Sequence, residues 1–283
     1  MSLGEHLEEL RKRLFRSVIV LAIAFGGAWW FKEDLADQVM WPWHNAVAQI
    51  NADLATRYEA ELVLNPEIPR SRYFKSDDPE EKTLRDPIDP RPNAFSITDP
   101  FFFALNVSIY FACFFAGPFV LWQIWQFIAA GLYKHEKRLV YMYFPISILL
   151  FLAGVLFCFV WIIPTGMYYL PSILPLDSVR TTLGLNGYFE FVSTLCLAMG
   201  VMFQLPLVMI FLSSLGLVEP KTYSKYRPHF LIGALFIAGV VTPGPDWISQ
   251  VLMTIPIYVL YELGIIVARW RSRPRRLPGE ARG

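Results

Sequence analysis

LVYMYFPISILLFLAGVLFCFVWII, residues 139–163, runs for 25 positions without a charged side chain. A helix of that length rises about 37 Å, and the hydrocarbon core of a bilayer is about 30 Å thick. The stretch therefore predicts a membrane-spanning helix. Outward from it, apolar blocks at about 14–31, 101–127, 188–217, 230–241 and 247–267 repeat the signal, giving six spans in all. The block at 230–241 is the short one: twelve residues reach only about 18 Å, so it sits in thinned bilayer or is a buried core helix. With 55% hydrophobic and 17% charged residues, the chain reads as an all-α integral membrane protein. Residues 1–283 form one membrane domain, with an external insertion at 44–98 and a basic tail at 268–283.

Orientation follows from the basic residues, because Lys and Arg are retained on the cytoplasmic side of short loops. With the amino terminus inside, the inner segments hold Arg11, Lys12, Arg13 and Arg16, then Lys134, Lys137 and Arg138, then Lys221, Lys225 and Arg227, and finally the Arg-rich tail. An even number of spans puts both termini on that side. Tryptophans agree: Trp29, Trp30, Trp41, Trp43, Trp161 and Trp247 lie at outer ends and Trp122, Trp125 and Trp270 at inner ones, at the headgroup level their amphipathic rings favour. The run after Arg16 is long for a cleavable signal and lacks a small-residue cleavage pattern, which favours a signal anchor.

Between His44 and Thr98 the composition turns polar and proline-rich, with Asp77-Asp78-Pro79-Glu80-Glu81-Lys82 as its centre. An amphipathic helix is expected over 46–62 and extended chain after Pro66. Asp99-Pro100 predicts an N-cap followed by proline at the first helical position.

The three cysteines lie singly in apolar blocks, and the histidines are scattered, so neither a disulfide framework nor a metal site is expected. Catalytic and nucleotide-binding motifs are absent from the sequence. No enzyme activity, cofactor or nucleic-acid ligand is expected.

Two short segments carry the functional signal. His6-Leu7-Glu8-Glu9-Leu10-Arg11-Lys12-Arg13-Leu14 has apolar residues at helical spacing and is expected to lie along the inner interface before the first span turns outward. Phe127-Ile128-Ala129-Ala130-Gly131-Leu132-Tyr133-Lys134-His135-Glu136-Lys137-Arg138 joins the second and third spans on the same side. Each places a carboxylate, Glu9 or Glu136, among basic residues at the mouth of a span. A carboxylate accepts a guanidinium bidentately, with about 1.5–3 kcal/mol per charge-assisted bond when shielded from water but only about 0–1 when exposed. Two such acids in a sheltered notch would suit paired arginines, and Lys would replace them poorly. The plainer reading pairs Glu9 with Arg13 at i, i+4 and Glu136 with Lys137 or Arg138. Arg11, Arg13 and Arg138 either orient the acids or anchor the topology.

Together these segments resemble the TatC family, the multispanning receptor subunit of the twin-arginine protein translocase. Its pattern is His-Leu-x-Glu-Leu-Arg-x-Arg followed by a Phe-x-x-x-x-Leu-Tyr-x-x-Glu loop. Pro42, the Phe203-Gln204-Leu205-Pro206 turn, Thr242-Pro243 to Asp246 and Tyr261-Glu262-Leu263-Gly264 extend the resemblance over nearly the whole chain except 44–98. The resemblance implies six spans in a concave bundle, both termini cytoplasmic, and a short fifth helix with room for a short sixth. It also implies a site for twin-arginine signal peptides built from Glu9, Glu136, Arg11, Arg13, Phe127, Leu132, Tyr133 and Arg138.

Polar groups in lipid face protein or water. Gln204 with Pro206, and Glu262, are thus read as contacts to partner helices or to other helices of the chain. Asp246 is read as a helix cap or a transport group, and Pro42 as part of the first external loop. By the same resemblance, partners are single-span TatA- and TatB-like subunits and further copies of the chain, in the cytoplasmic membrane, exporting folded proteins on the proton motive force. The sequence departs from the family at a long first external loop, at Ala130 where proline is common, at Gln204 where Glu is frequent, and at an extra Gly244. The competing reading is a proton-coupled secondary transporter of a small solute through Gln204 and Glu262. The lack of internal repeats argues against it.

Overall fold

A computed structural model describes residues 3–64, 93–172, 184–242 and 247–271. Among them, every extended element is a helix. These are α1 (Leu3–Trp30), α2 (Lys32–Leu64), α3 (Asp99–Gly131), α4 (Lys137–Phe157), a π-helical turn (Cys158–Ile162), α5 (Ile163–Ser172), α6 (Leu185–Met202), α7 (Leu205–Ser214), α8 (Pro220–Lys225), α9 (Arg227–Val241) and α10 (Trp247–Arg271). Five stretches are long and apolar enough to cross a membrane: 4–30, 99–131, 137–169, 185–214 and 250–271. The shorter apolar α9 makes the sixth. The helices are those of a six-span membrane bundle.

Several boundaries differ from the expectation. The amino-terminal segment does not lie apart from the first span; it continues into it as one helix, with no proline in residues 3–30. The helix expected over 46–62 belongs to a 33-residue helix that begins at Lys32 and includes Pro42, so Pro42 is helical and residues 44–64 are not loop. Its cost, a lost backbone bond, is offset by the apolar stripe on both sides of it. Val39, Trp43, Ala46, Val47 and Ile50 are all buried. Residues 65–92 of the insertion lie outside the described residues, as do Asp246 and the tail from 272. Nor is the sixth span short, since α10 has 25 residues.

Packing divides the chain into two compact units, residues 1–21, 114–155 and 197–283, and residues 22–113 and 156–196. In the second unit α2 packs on α5, and the Tyr188 hydroxyl donates to the Val39 carbonyl at 2.6 Å. Asp99 opens α3, but its side chain points backward rather than capping the first turn. It accepts the Phe95 and Ser96 amides at 2.7 and 2.9 Å and the Asn186 side-chain amide at 2.9 Å. A carboxylate has lone pairs for all three, so Asp99 orders the turn before α3 and holds the start of α6.

In the first unit, Trp125, Tyr143 and Phe211 form an aromatic core, with ring centroids 5.1–6.3 Å apart. Leu207, Ile210 and Ala268 close it, and α10 packs on α7, α8 and α9. After α7, Gly216 adopts φ 74°, with Leu217 N–H bonded to Leu212 C=O and Gly216 N–H to Ser213 C=O, both at 3.1 Å. This is the αL helix stop that favours glycine. Small residues admit close helix contact, as is usual where lipid supplies no hydrophobic drive between helices. A Cβ at Gly154 would lie 2.7 Å from the Met199 carbonyl oxygen and from the Phe203 ring.

Gly154→Val is expected to destabilise the detergent-solubilised protein by about 1–3 kcal/mol through overpacking against backbone, read as a lower Tm. Gly187→Ala, whose Cβ meets nothing within 4 Å, leaves Tm unchanged or slightly raised.

Candidate functional site

The first turns of α1 are pinned to the carboxyl end of α3. The His6 ring lies 4.4 Å from the Phe127 ring, centroid to centroid, and the His6 Cε1 atom is 3.7 Å from where a Cβ would stand on Gly131. Glu9 is one turn further along α1. Glu136 ends the short loop that leaves Gly131 and immediately precedes α4. Both acids therefore belong to the same end of the first unit.

Each is about three-quarters shielded, with side-chain exposures of 25% for Glu9 and 24% for Glu136. The loop is shaped by Glu136 itself. Its Oε2 accepts the Tyr133 amide at 3.1 Å, and its own amide donates to the Tyr133 carbonyl at 3.0 Å. Leu139 N–H then bonds to the Glu136 carbonyl at 2.9 Å and begins the α4 turn, so the carboxylate also stands at the positive end of a helix dipole. Oε1 stays clear of backbone, with His135 Nε2 3.9 Å away. The expected pairing of Glu136 with Lys137 or Arg138 is not what holds it.

Glu9 forms an ion pair with Arg13 one turn on. The Arg13 side chain, 15% exposed, also donates from Nη1 to Gln123 Oε1 on α3 at 3.3 Å, while its Nε is buried without a partner. Gln123 is 6% exposed. Sequence reasoning missed it and His6. The rule that marked Gln204, a polar side chain within an apolar span, applies equally to Gln123. By contrast, the Glu8–Lys12 pair with the same spacing, at 2.9 Å, is exposed. Leu132 packs against the aromatic core. Tyr133 is 75% exposed and stacks on His135. Arg11 and Arg138 are also exposed.

The remaining candidates lie elsewhere. Gln204 stands at the break between α6 and α7, with Pro206 in the first turn of α7. Both ends of its amide are used within the chain. Oε1 accepts the Ser147 hydroxyl at 2.5 Å and Nε2 donates to the Ser147 carbonyl at 3.0 Å. Glu262 takes the Arg227 guanidinium at 2.6 Å, which ties α10 to the start of α9 rather than leaving the carboxylate to reach water alone. A groove of about 390 Å³ runs beside them, lined by Met202, Leu205, Phe230, Gly233, Ala234 and Ile257 among others. Among the described residues, no cluster of His, Cys, Asp and Glu suits a metal ion.

Five helices long and apolar enough to cross a membrane, with the shorter apolar α9 as the sixth, define an all-α membrane protein. The comparisons make this specific. Residues 5–256 match the family model for the Sec-independent protein translocase protein TatC. The TatC protein of Haemophilus influenzae is 32% identical over 94% of this chain and 88% of its own length. That of Escherichia coli K12 is 29% identical over 94% and 87%. A crystal structure of the twin-arginine translocase receptor TatC superposes with a TM-score of 0.71 at 28% identity, covering 95% of this chain and all of the other. The chain belongs to the TatC family and is a membrane component of the Sec-independent protein translocase.

Ser147→Ala leaves Gln204 Oε1 without its donor in the bundle. An interhelical hydrogen bond in a membrane protein contributes about 0.6–1.7 kcal/mol, so Tm should fall accordingly. Ser147→Thr, which keeps the hydroxyl, is expected to stay nearer wild type in the same thermal melt.

Proposed function

We propose that this chain is the receptor that captures twin-arginine signal peptides, with Glu9 and Glu136 as the carboxylates that accept the paired guanidiniums. The observation that carries the reading is the shielding of both acids at one end of the first unit, where His6 pins α1 to Phe127 and Gly131. Fully exposed acids would gain about 0–1 kcal/mol from such a ligand. Three-quarters shielded ones enter the range of about 1.5–3 kcal/mol per charge-assisted bond. Phe127, half-buried beside His6, offers apolar surface to the segment behind the arginines, and Tyr133 offers an exposed ring on the loop. Arg11 and Arg138 supply the positive margin that holds this end at the cytoplasmic face.

On this reading both termini are cytoplasmic, the membrane is the inner membrane, and the chain performs no covalent chemistry. TatA- and TatB-like single-span subunits and further copies of this chain complete the assembly, which exports folded proteins on the proton motive force. The apolar groove lined by α6, α7, α9 and α10 gives a single-span helix a surface to pack against. A solute pathway through Gln204 and Glu262 is disfavoured because both groups already hold partners, Ser147 and Arg227.

The test is a titration of the detergent-solubilised or nanodisc-held protein with a peptide carrying Arg-Arg ahead of an apolar segment. Glu9→Gln and Glu136→Gln should each weaken binding by about tenfold or more, and a Lys-Lys peptide should bind poorly to wild type. Equal binding in every combination would sink the receptor reading.

A further inference from the structure

The ion pair that shields Glu9 raises a difficulty for a receptor: the carboxylate meant for a ligand's arginine already holds one. Arg13 sits on Glu9, with the Arg13 side chain only 15% exposed. Little carboxylate surface is left for a second guanidinium, and two like charges side by side in a sheltered site repel. The Arg13 contacts are also incomplete. Of five possible donors, the bond to Gln123 is long at 3.3 Å, and Nε is buried with no acceptor. The buried Gln123 side chain on α3 faces the same guanidinium from the side away from Glu9's own helix. Arg13 therefore has one strong partner and, beside it, a second seat that it only partly uses.

We propose that Arg13 is a built-in competitor for the signal-peptide site: in the peptide-free protein it occupies Glu9, and an incoming arginine takes Glu9 while Arg13 shifts onto Gln123. The inference rests on the receptor reading above and adds the regulation of that site. Its physical basis is that a bare, half-sheltered carboxylate would attract any passing cation. An internal guanidinium sets a threshold that a monodentate ammonium crosses with difficulty and a bidentate arginine crosses more readily. The adjacent Glu8–Lys12 pair, exposed to solvent, sets no such threshold.

The experiment is the same peptide titration on the full chain in nanodiscs, with Arg13→Gln, Arg13→Lys, Gln123→Met, the double variant Arg13→Gln/Gln123→Met, and Glu9→Gln as the control. Removing the competitor should tighten the Arg-Arg peptide about tenfold in Arg13→Gln, the worth of one partly shielded ion pair. Arg13→Lys keeps the charge but loses the fork, and should tighten it about threefold. Simple relief of repulsion would leave Arg13→Lys at the wild-type value and so overturns the proposal. Gln123→Met takes away the second seat and should weaken binding about threefold to tenfold when Arg13 is present, yet have no effect in the Arg13→Gln background. A loss of equal size in both backgrounds overturns the role given to Gln123.

If Arg13 merely orients Glu9, both Arg13 variants bind more weakly, and the inference fails while the receptor reading stands. If Glu9→Gln binds as wild type, the receptor reading itself fails. Should Arg13→Gln not fold, as judged by its thermal melt, the Arg13→Lys arm decides alone: tighter binding supports the competitor, wild-type or weaker binding overturns it.

Discussion

Every polar group that enters hydrocarbon must find its partner inside the protein, and this constraint organises the whole chain. Helices satisfy the backbone. Many side chains follow the same rule: Ser108 and Thr254 bond back to the carbonyls of Ala104 and Gln250, Gln204 spends both ends of its amide on Ser147, and Arg227 meets Glu262 through one of its terminal nitrogens. Each bond between helices also chooses which helices are neighbours. The short α9 illustrates the point, since fifteen residues bury little surface, and the Arg227–Glu262 pair with the Phe230–Tyr261 ring stack at 3.8 Å holds its first turns to α10.

In the proposed function, the same physics at the end of the first unit serves recognition as well as structure. Glu9 and Glu136 are shielded enough for charge-assisted bonds to matter, yet neither is sealed in. Their local supports differ. Glu136 is held by the backbone of its own loop and the start of α4, which leaves one oxygen free of backbone contact. Glu9 is held by a side chain that is itself a guanidinium. An acid fixed by backbone is available at once, whereas an acid fixed by a charged neighbour responds to competition, so the two halves of the proposed site differ in character.

Membership of the TatC family draws on almost the entire chain, and the departures noted in the sequence fall mostly away from the two acids. Gln204 is the informative one. A carboxylate at that position would repel the Ser147 carbonyl, whereas an amide donates to that carbonyl and accepts from the hydroxyl. The residue type and the partner are therefore matched within this chain.

The sequence alone determined the helical class, the number of spans, the basic asymmetry and the two acids at the ends of apolar blocks. Each of these follows from local composition set against the thickness of a bilayer. It also showed the break near Pro206, because proline lacks a donor wherever it stands. Only the tertiary structure decided that Pro42 is carried through a long helix by a buried stripe, that Asp99 points backward to Asn186, and that Gln123 joins Arg13, whose i, i+4 pairing with Glu9 was one of two readings the sequence left open. Those outcomes depend on which side chains from distant positions come within hydrogen-bonding range. No local pattern encodes that, because one polar residue in an apolar run is compatible with several partners until packing selects one.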